Sequence, residues 1–213
     1  MRGSLVANSS DALQNPYLIP ENVARVKRYV DSIGYKGPIV IGSDCTKVKK
    51  CLNFSTQHGC HVLGTVFSLS TVEVDDAGDI DEIVERTVKE KAFATQARAI
   101  LAKIPAPNCP PMVISILPTN GSETAADIHE HHLTLQKMAS NFKLLIIGCS
   151  ADGAASELAA QALMDQEETG LPPLEYSCPL YGYHVKAPVF AVRGPMISFT
   201  DPPHAKKQKS DGL

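Results

Sequence analysis

Short apolar runs alternate along the chain with segments whose apolar residues recur every three or four positions. The apolar runs predict buried strands, because each run is short and is flanked on both sides by turn residues. These predicted strands cover residues 38–43, 61–69, 112–117, 144–147, 183–192 and 196–200. The helical spacing predicts helices over 21–33, 79–103, 123–140 and 153–160, and the long second pattern allows one break near Lys91. Alternating strands and helices of this kind predict an α/β fold.

The order of these elements is that of a ribonuclease-H-like core, a mixed sheet flanked by helices, in which the first and fourth strands lie side by side. We expect residues 61–69 to be the hairpin partner of the first strand. The segment around 70–103 is then an insertion. The domain organisation predicted is a polar segment over 1–20, a core over 21–207 that is incomplete at its C-terminus, and a tail over 208–213.

Size and composition limit the alternatives. The 213 residues are 44% hydrophobic, enough for one domain with its own core. The net charge of −3 provides no global positive field for nucleic acid. No apolar run reaches the length of about 18 residues that a membrane span needs, and no signal peptide is recognisable. The six cysteines lack regular spacing, so we expect reduced thiols and an intracellular protein, nuclear or cytoplasmic, that is not secreted.

Two aspartates follow predicted strands. Asp44 comes after the strand at 38–43, and Asp152 lies in a short turn between the strand at 144–147 and the next helix. Open α/β sheets bind ligands at the carboxyl ends of their strands, where helix N-termini converge. Because the first and fourth strands should be neighbours, we expect Asp44 and Asp152 to lie together.

The two aspartates and a third segment, Asp201-Pro-Pro-His-Ala-Lys-Lys207, resemble the nuclease core of P-element-type DNA transposases, including related fungal elements. The likeness covers residues 20–207. It implies that Asp44 and Asp152 are the catalytic acids, which hold Mg²⁺ or Mn²⁺ for phosphodiester cleavage. Asp201 is the further metal candidate, while the role of His204 is unassigned. The resemblance also implies DNA as a partner and allows a homo-oligomer, without a small-molecule substrate or a membrane.

The chain departs from this family in several places. Cys45 and Thr46 stand where the family commonly has Glu-Met, and Glu157 stands where it has Asn. No third acid fits, because Glu157 precedes the Asp201 segment and Asp211 lies in the tail. The function expected is therefore a fragment of a DNA transposase nuclease core. The alternative is a catalytically inactive, transposon-derived remnant that acts only in DNA or protein binding.

Zinc motifs are incomplete. Residues 128–132 read Ile-His-Glu-His-His, and Leu133 stands where a metalloprotease helix needs its second histidine, so a polar helix face is favoured. Four further candidate ligands lack a C-x-x-C pair, and we expect buried free thiols instead. These residues are Cys45, Cys51, Cys60 and His61.

Two other motifs are incomplete or ambiguous. Ser150 lies in a sequence close to the nucleophile elbow, but Asp152 replaces the final glycine, which argues against a nucleophilic serine. Lys47, Lys49 and Lys50 follow Asp44 closely and could contact phosphates or simply form a solvated turn.

Overall fold

The computed structural model describes residue 13 and residues 15–56 and 59–200. The helices in these ranges are α1 (Pro20–Ser32), α2 (Ala77–Lys89), α3 (Ala125–Asn141) and α4 (Ala155–Asp165). The first strands are β1 (Ile39–Lys47), β2 (Asn53–Ser55), β3 (His61–Leu63), β4 (Gln96–Lys103), β5 (Met112–Thr119) and β6 (Ile146–Ala151). The later strands are β7 (Leu174–Cys178), β8 (Tyr183–Ala187), β9 (Val189–Phe190), β10 (Gly194–Pro195) and β11 (Ile197–Thr200). None of the helices in the described ranges is long and apolar enough to cross a membrane.

The largest sheet within the described residues is mixed and has five strands, in the order β11-β6-β1-β4-β5. β4 runs antiparallel to β1 and to β5, whereas β6 is parallel to β1 and to β11. The prediction that the first strand and the strand before Asp152 are parallel neighbours is therefore confirmed.

The main core lies between this sheet and three helices. Alternate β1 residues, Ile39 and Ile41, are buried in it together with Ile100 of β4, because side chains two apart share one face of a strand. The helix residues that complete this core are Val23, Val26 and Val30 of α1, Leu135 and Ala139 of α3, and Met164 of α4. A smaller apolar cluster joins α2 to the β2–β3 hairpin through Ile83 and Val62.

The long helical pattern over 79–103 is only half right. α2 ends at Lys89, and Lys91 has a left-handed φ of 53°, so the predicted break is where the helix stops. Residues 96–103 then form β4. Their alanines and long side chains suit a helix equally well. Pairing with β1 and β5 decides the strand, because it buries Arg98, Ile100 and Ala102 on one face.

The predicted hairpin partner of the first strand is wrong. β3 pairs with β2 in a separate two-stranded sheet, and β4 is the antiparallel neighbour of β1. The segment expected as an insertion, 70–103, therefore contains a central strand of the sheet. Burial gives the reason: β1 needs a partner with alternate buried positions, which β4 supplies, whereas β3 has one buried residue, Val62.

Candidate functional site at the ends of β1 and β6

Asp44 lies inside β1. The strand continues to Lys47, and Asp44 pairs with Ala99 of β4, so its expected position after the strand is wrong. Pairing with β4 extends the strand beyond its apolar part. Because side chains alternate, Asp44 points to the face opposite Ser43 and Cys45, and it is exposed.

Asp152 lies where the sequence predicts it, directly after β6 and just before α4. Its Oδ1 accepts a hydrogen bond from the backbone N–H of Ala154 at 2.9 Å. This bond satisfies one of the N–H groups at the beginning of α4 that the helix cannot pair itself. Asp152 thus shapes the turn into the helix, and one carboxylate oxygen is engaged in doing so.

The backbones of Asp44 and Asp152 lie close together in space, but the two side chains have different surroundings. Ser43 of β1 pairs with Ala151 of β6, and Asp44 and Asp152 are the next residues of these parallel neighbours. Asp152 lines a cavity together with Cys45, and Asp44 is not among the residues that line it.

This cavity, here called the acidic cavity, has a volume of about 230 Å³. It lies at the carboxyl ends of β1 and β6, beside the N-terminus of α4. Its lining residues are Cys45, Gln96, Arg98, Gly121, Glu123, Asp152, Ala154, Ser156 and Glu157. Three carboxylates therefore surround a single guanidinium.

Arg98 is the centre of the polar contacts in the acidic cavity, and only 3% of it is exposed. Its Nη1 donates hydrogen bonds to Ser43 Oγ at 2.8 Å and to Glu157 Oε1. Its Nε and Nη2 donate to Glu123 Oε2 at 3.2 and 3.1 Å. The planar guanidinium therefore joins two carboxylates from different elements, which is the geometry for which arginine is suited.

The ionisation of this cluster follows from burial and pairing. Burial by itself would lower the pKa of Arg98, but the hydrogen bonds and charges of Glu123 and Glu157 raise it above its ordinary value. Burial raises the pKa of Glu157, and the Arg98 guanidinium opposes that rise. Within the described residues, Glu157 Oε2 has no hydrogen-bond partner. Arg98 is thus a permanent cation that holds Glu157 in its buried position.

The acidic cavity does not form an Mg²⁺ ligand set as its side chains are arranged. Mg²⁺ prefers carboxylate oxygens in octahedral geometry, but Arg98 already binds Glu123 and Glu157. In the described ranges, no group of three or more histidine, cysteine or acidic side chains is arranged to hold a metal ion. Asp201 and His204 lie outside the described residues.

The sequence reading missed Arg98 and Glu123. Arg98 belongs to a stretch, Gln-Ala-Arg-Ala-Ile-Leu-Ala-Lys, in which it shares the face of Ile100 and Ala102. A single charge on the apolar face of an alternating segment was the available signal, because such a charge must be paired when buried. Reading the segment as a helix concealed it.

The structure also places the histidine, cysteine and serine residues that the sequence offered as candidates. His132 is buried with its ring 3.6 Å from Cys149 Sγ, so the polar helix face expected over 128–132 is wrong for this residue. Cys51 and Cys60 are free but exposed, which corrects the expectation that they are buried. Ser150 lies within β6 and not on a turn after it.

No family model matches the chain, and no curated protein matches its sequence. Among solved structures, a Drosophila P element transposase strand transfer complex is similar with a TM-score of 0.46 and 10% identity. The match covers 85% of this chain and 32% of that one, so this chain spans about a third of its length. Similarity at this level assigns neither a family nor an activity.

Proposed function

We propose that this chain is a ribonuclease-H-like core of the DNA transposase type that binds DNA without cutting it. The fold is supported by the strand order β11-β6-β1-β4-β5, in which an antiparallel β1-β4-β5 meander is extended by two parallel strands. A ribonuclease-H-like core requires this arrangement. In chain order, β1 is the first strand of the sheet and lies beside β6, which is the fourth.

The ion pairs of Arg98 in the acidic cavity are the observation that supports the absence of DNA cleavage. Two-metal cleavage of a phosphodiester needs carboxylates that are free to bind the ions. Arg98 engages Glu157 and Glu123, and an arginine does not lose its charge at any pH that a folded protein tolerates. A divalent ion could bind Glu123 or Glu157 only by displacing a buried guanidinium, which leaves Asp152 as the carboxylate of the acidic cavity that is not bound to Arg98.

DNA binding is supported by the lysines that follow Asp44. Lys47 ends β1, and Lys49 and Lys50 lie in the segment after it, all of them exposed. Lys50 Nζ lies 4.3 Å from the centre of the Phe93 ring, so its ammonium group contacts the face of that ring. Exposed lysines clustered in this way suit phosphate contacts that carry no sequence preference.

We expect the triple replacement of Lys47, Lys49 and Lys50 with glutamine to weaken DNA binding. For each lysine that no longer binds a phosphate, the slope of log affinity against log salt should fall by about 1. The measurement is fluorescence anisotropy of a labelled duplex at several salt concentrations.

The matched control removes three other surface lysines, Lys27, Lys103 and Lys186, by the same replacement. It should change the slope little, because these lysines belong to other elements. Equal weakening by both triple variants would show that DNA binding does not depend on the lysines after Asp44. If the native chain binds no DNA, a protein-binding remnant is the better proposal.

A second candidate is the nuclease itself, with Mg²⁺ or Mn²⁺ held by Asp44 and Asp152 and with Asp201 as a further ligand. The parallel register favours it, since Asp44 and Asp152 directly follow Ser43 and Ala151, which pair with each other across β1 and β6. When bound, the ions would stabilise the attacking and leaving oxygens of the phosphodiester.

Thermal melts distinguish the two candidates. If the chain binds no metal at this site, Mg²⁺ and Mn²⁺ should leave the Tm of the native chain unchanged. A bound ion at a hundred times its Kd would stabilise the fold by about 2.7 kcal/mol. A rise in Tm that is absent from both Asp44→Asn and Asp152→Asn would support the nuclease, as would Mn²⁺-dependent nicking of supercoiled DNA abolished by Asp44→Asn.

A further inference from the structure

A β-hairpin near the end of the described chain has no partner among the described strands. It consists of β7, β8 and the turn at 179–182, and we refer to residues 174–187 as the tyrosine hairpin. Leu174 pairs with Ala187 and Tyr176 with Val185. Within the described residues these two strands form a sheet of their own, so each has one edge that pairs with no other strand.

The tyrosine hairpin is exposed on both faces. Leu174, Glu175, Tyr176 and Ser177 are all exposed, and alternate side chains of a strand point to opposite faces. The exposed fractions of its large apolar side chains are 60% for Tyr176, 83% for Leu180, 81% for Tyr181 and 58% for Tyr183. The exposed side chains lie on β7, in the turn and at the start of β8, whereas Ala187 at the end of β8 is buried.

A two-stranded hairpin with exposed apolar side chains is unfavourable in a monomer. A two-stranded hairpin is marginally stable in water, and three or more strands are needed for independent stability. Open edges present unpaired N–H and C=O groups, and contiguous exposed apolar surface marks an interaction site. An added strand at the edge of β7 would satisfy the open edge and contact Tyr176, the tyrosine of that strand.

We infer that the tyrosine hairpin binds a second copy of this chain, with β7 of each copy pairing antiparallel about a two-fold axis at Tyr176. In this register Tyr176 faces its own copy, Glu175 faces Ser177, and Leu174 faces Cys178. No like charges oppose one another. The corresponding pairing of β8, centred on Val185, would set His184 against Lys186, which disfavours the other edge when the histidine is protonated.

The charge of the hairpin is compatible with this occupant, and its exposed apolar area supplies part of an interface. The hairpin carries one acid and one lysine, Glu175 and Lys186, whose side chains lie 3.7 Å apart, so it offers no positive field for phosphates. Since a tyrosine can bury about 150–250 Å², the three tyrosines at their present exposure offer roughly 400 Å², half of the ~800 Å² per partner of a standard interface. Leu174 and Leu180 add to this surface.

Sedimentation velocity at increasing protein concentration tests the dimer. The native chain should dimerise, and Tyr176→Asp should weaken the dimer about tenfold or more, because it sets two like charges face to face on the axis. The control is Val88→Asp, which changes an exposed apolar residue on α2 and should leave the dimer intact. Unchanged circular dichroism of both variants would show that they fold.

A disulfide trap tests the register. Tyr176→Cys in a background with Cys51, Cys60 and Cys178 replaced by serine should form a covalent dimer under mild oxidation, because residues facing each other across paired strands meet the Cα distance of a disulfide. Val88→Cys in the same background should not. A native chain that stays monomeric at all concentrations would overturn the inference, as would a dimer that survives Tyr176→Asp.

Discussion

Replacing Arg98 with methionine should lower the free energy of unfolding by about 3–5 kcal/mol, because removing one partner of a buried ion pair leaves an uncompensated charge. Glu157 is 3% exposed and would lose the guanidinium that opposes the rise in its pKa. Glu123 would lose three hydrogen bonds from the same side chain. Urea denaturation of the native chain and the variant measures the difference.

Two further variants show whether the buried pair causes this destabilisation. Lys27→Met breaks an exposed ion pair with Asp31 within α1 and should cost less than about 1 kcal/mol. The double variant Arg98→Met, Glu157→Leu should recover part of the stability, since apolar replacement of a whole buried pair is often neutral. A cost for Arg98→Met as small as that for Lys27→Met would contradict the described role of Arg98.

Acidification should remove about 3 kcal/mol of stability between pH 6.5 and pH 4 through His132 alone. Burial lowers the pKa of His132 from 6.5 to about 4, and the positive charges of Arg98, His131 and His129 add to the effect. The unfolded chain therefore binds the proton first as the pH falls. The stability that the neutral imidazole confers is complete above pH 6.5 and is lost as the pH approaches the folded value.

The contribution of His132 can be isolated with His132→Gln, which should show a flatter dependence of the unfolding free energy on pH. Glu157 acts in the opposite direction, because its folded pKa is raised and its contribution is lost as the pH rises. Glu157→Gln should therefore make the acid-induced fall in stability steeper. If native chain and His132→Gln lose stability in parallel between pH 6.5 and pH 4, the buried imidazole is not the responsible group.

The acidic cavity was only partly accessible to sequence reasoning. The turn that holds Asp152 is predictable, because an apolar run, small residues and a helical pattern follow one another locally. The face to which Asp44 points is not, because it depends on how far β1 extends, and pairing with β4 extends it. Arg98 acquires its role from β1, from α4 and from the connection between β5 and α3, which bring Ser43, Glu157 and Glu123 around it.

Local pattern by itself determined the α/β class and the approximate bounds of β5 and α3, because these rest on side chains that repeat with the period of their own element. The order of the elements, compared with a ribonuclease-H-like core, indicated that β1 and β6 are neighbours. Only the tertiary structure decided that residues 96–103 are a strand, that β4 and not β3 pairs with β1, and that a guanidinium occupies the acidic cavity. Those outcomes depend on burial and pairing between residues far apart in the chain, and the helix propensity of an alanine-rich segment is too small to oppose them.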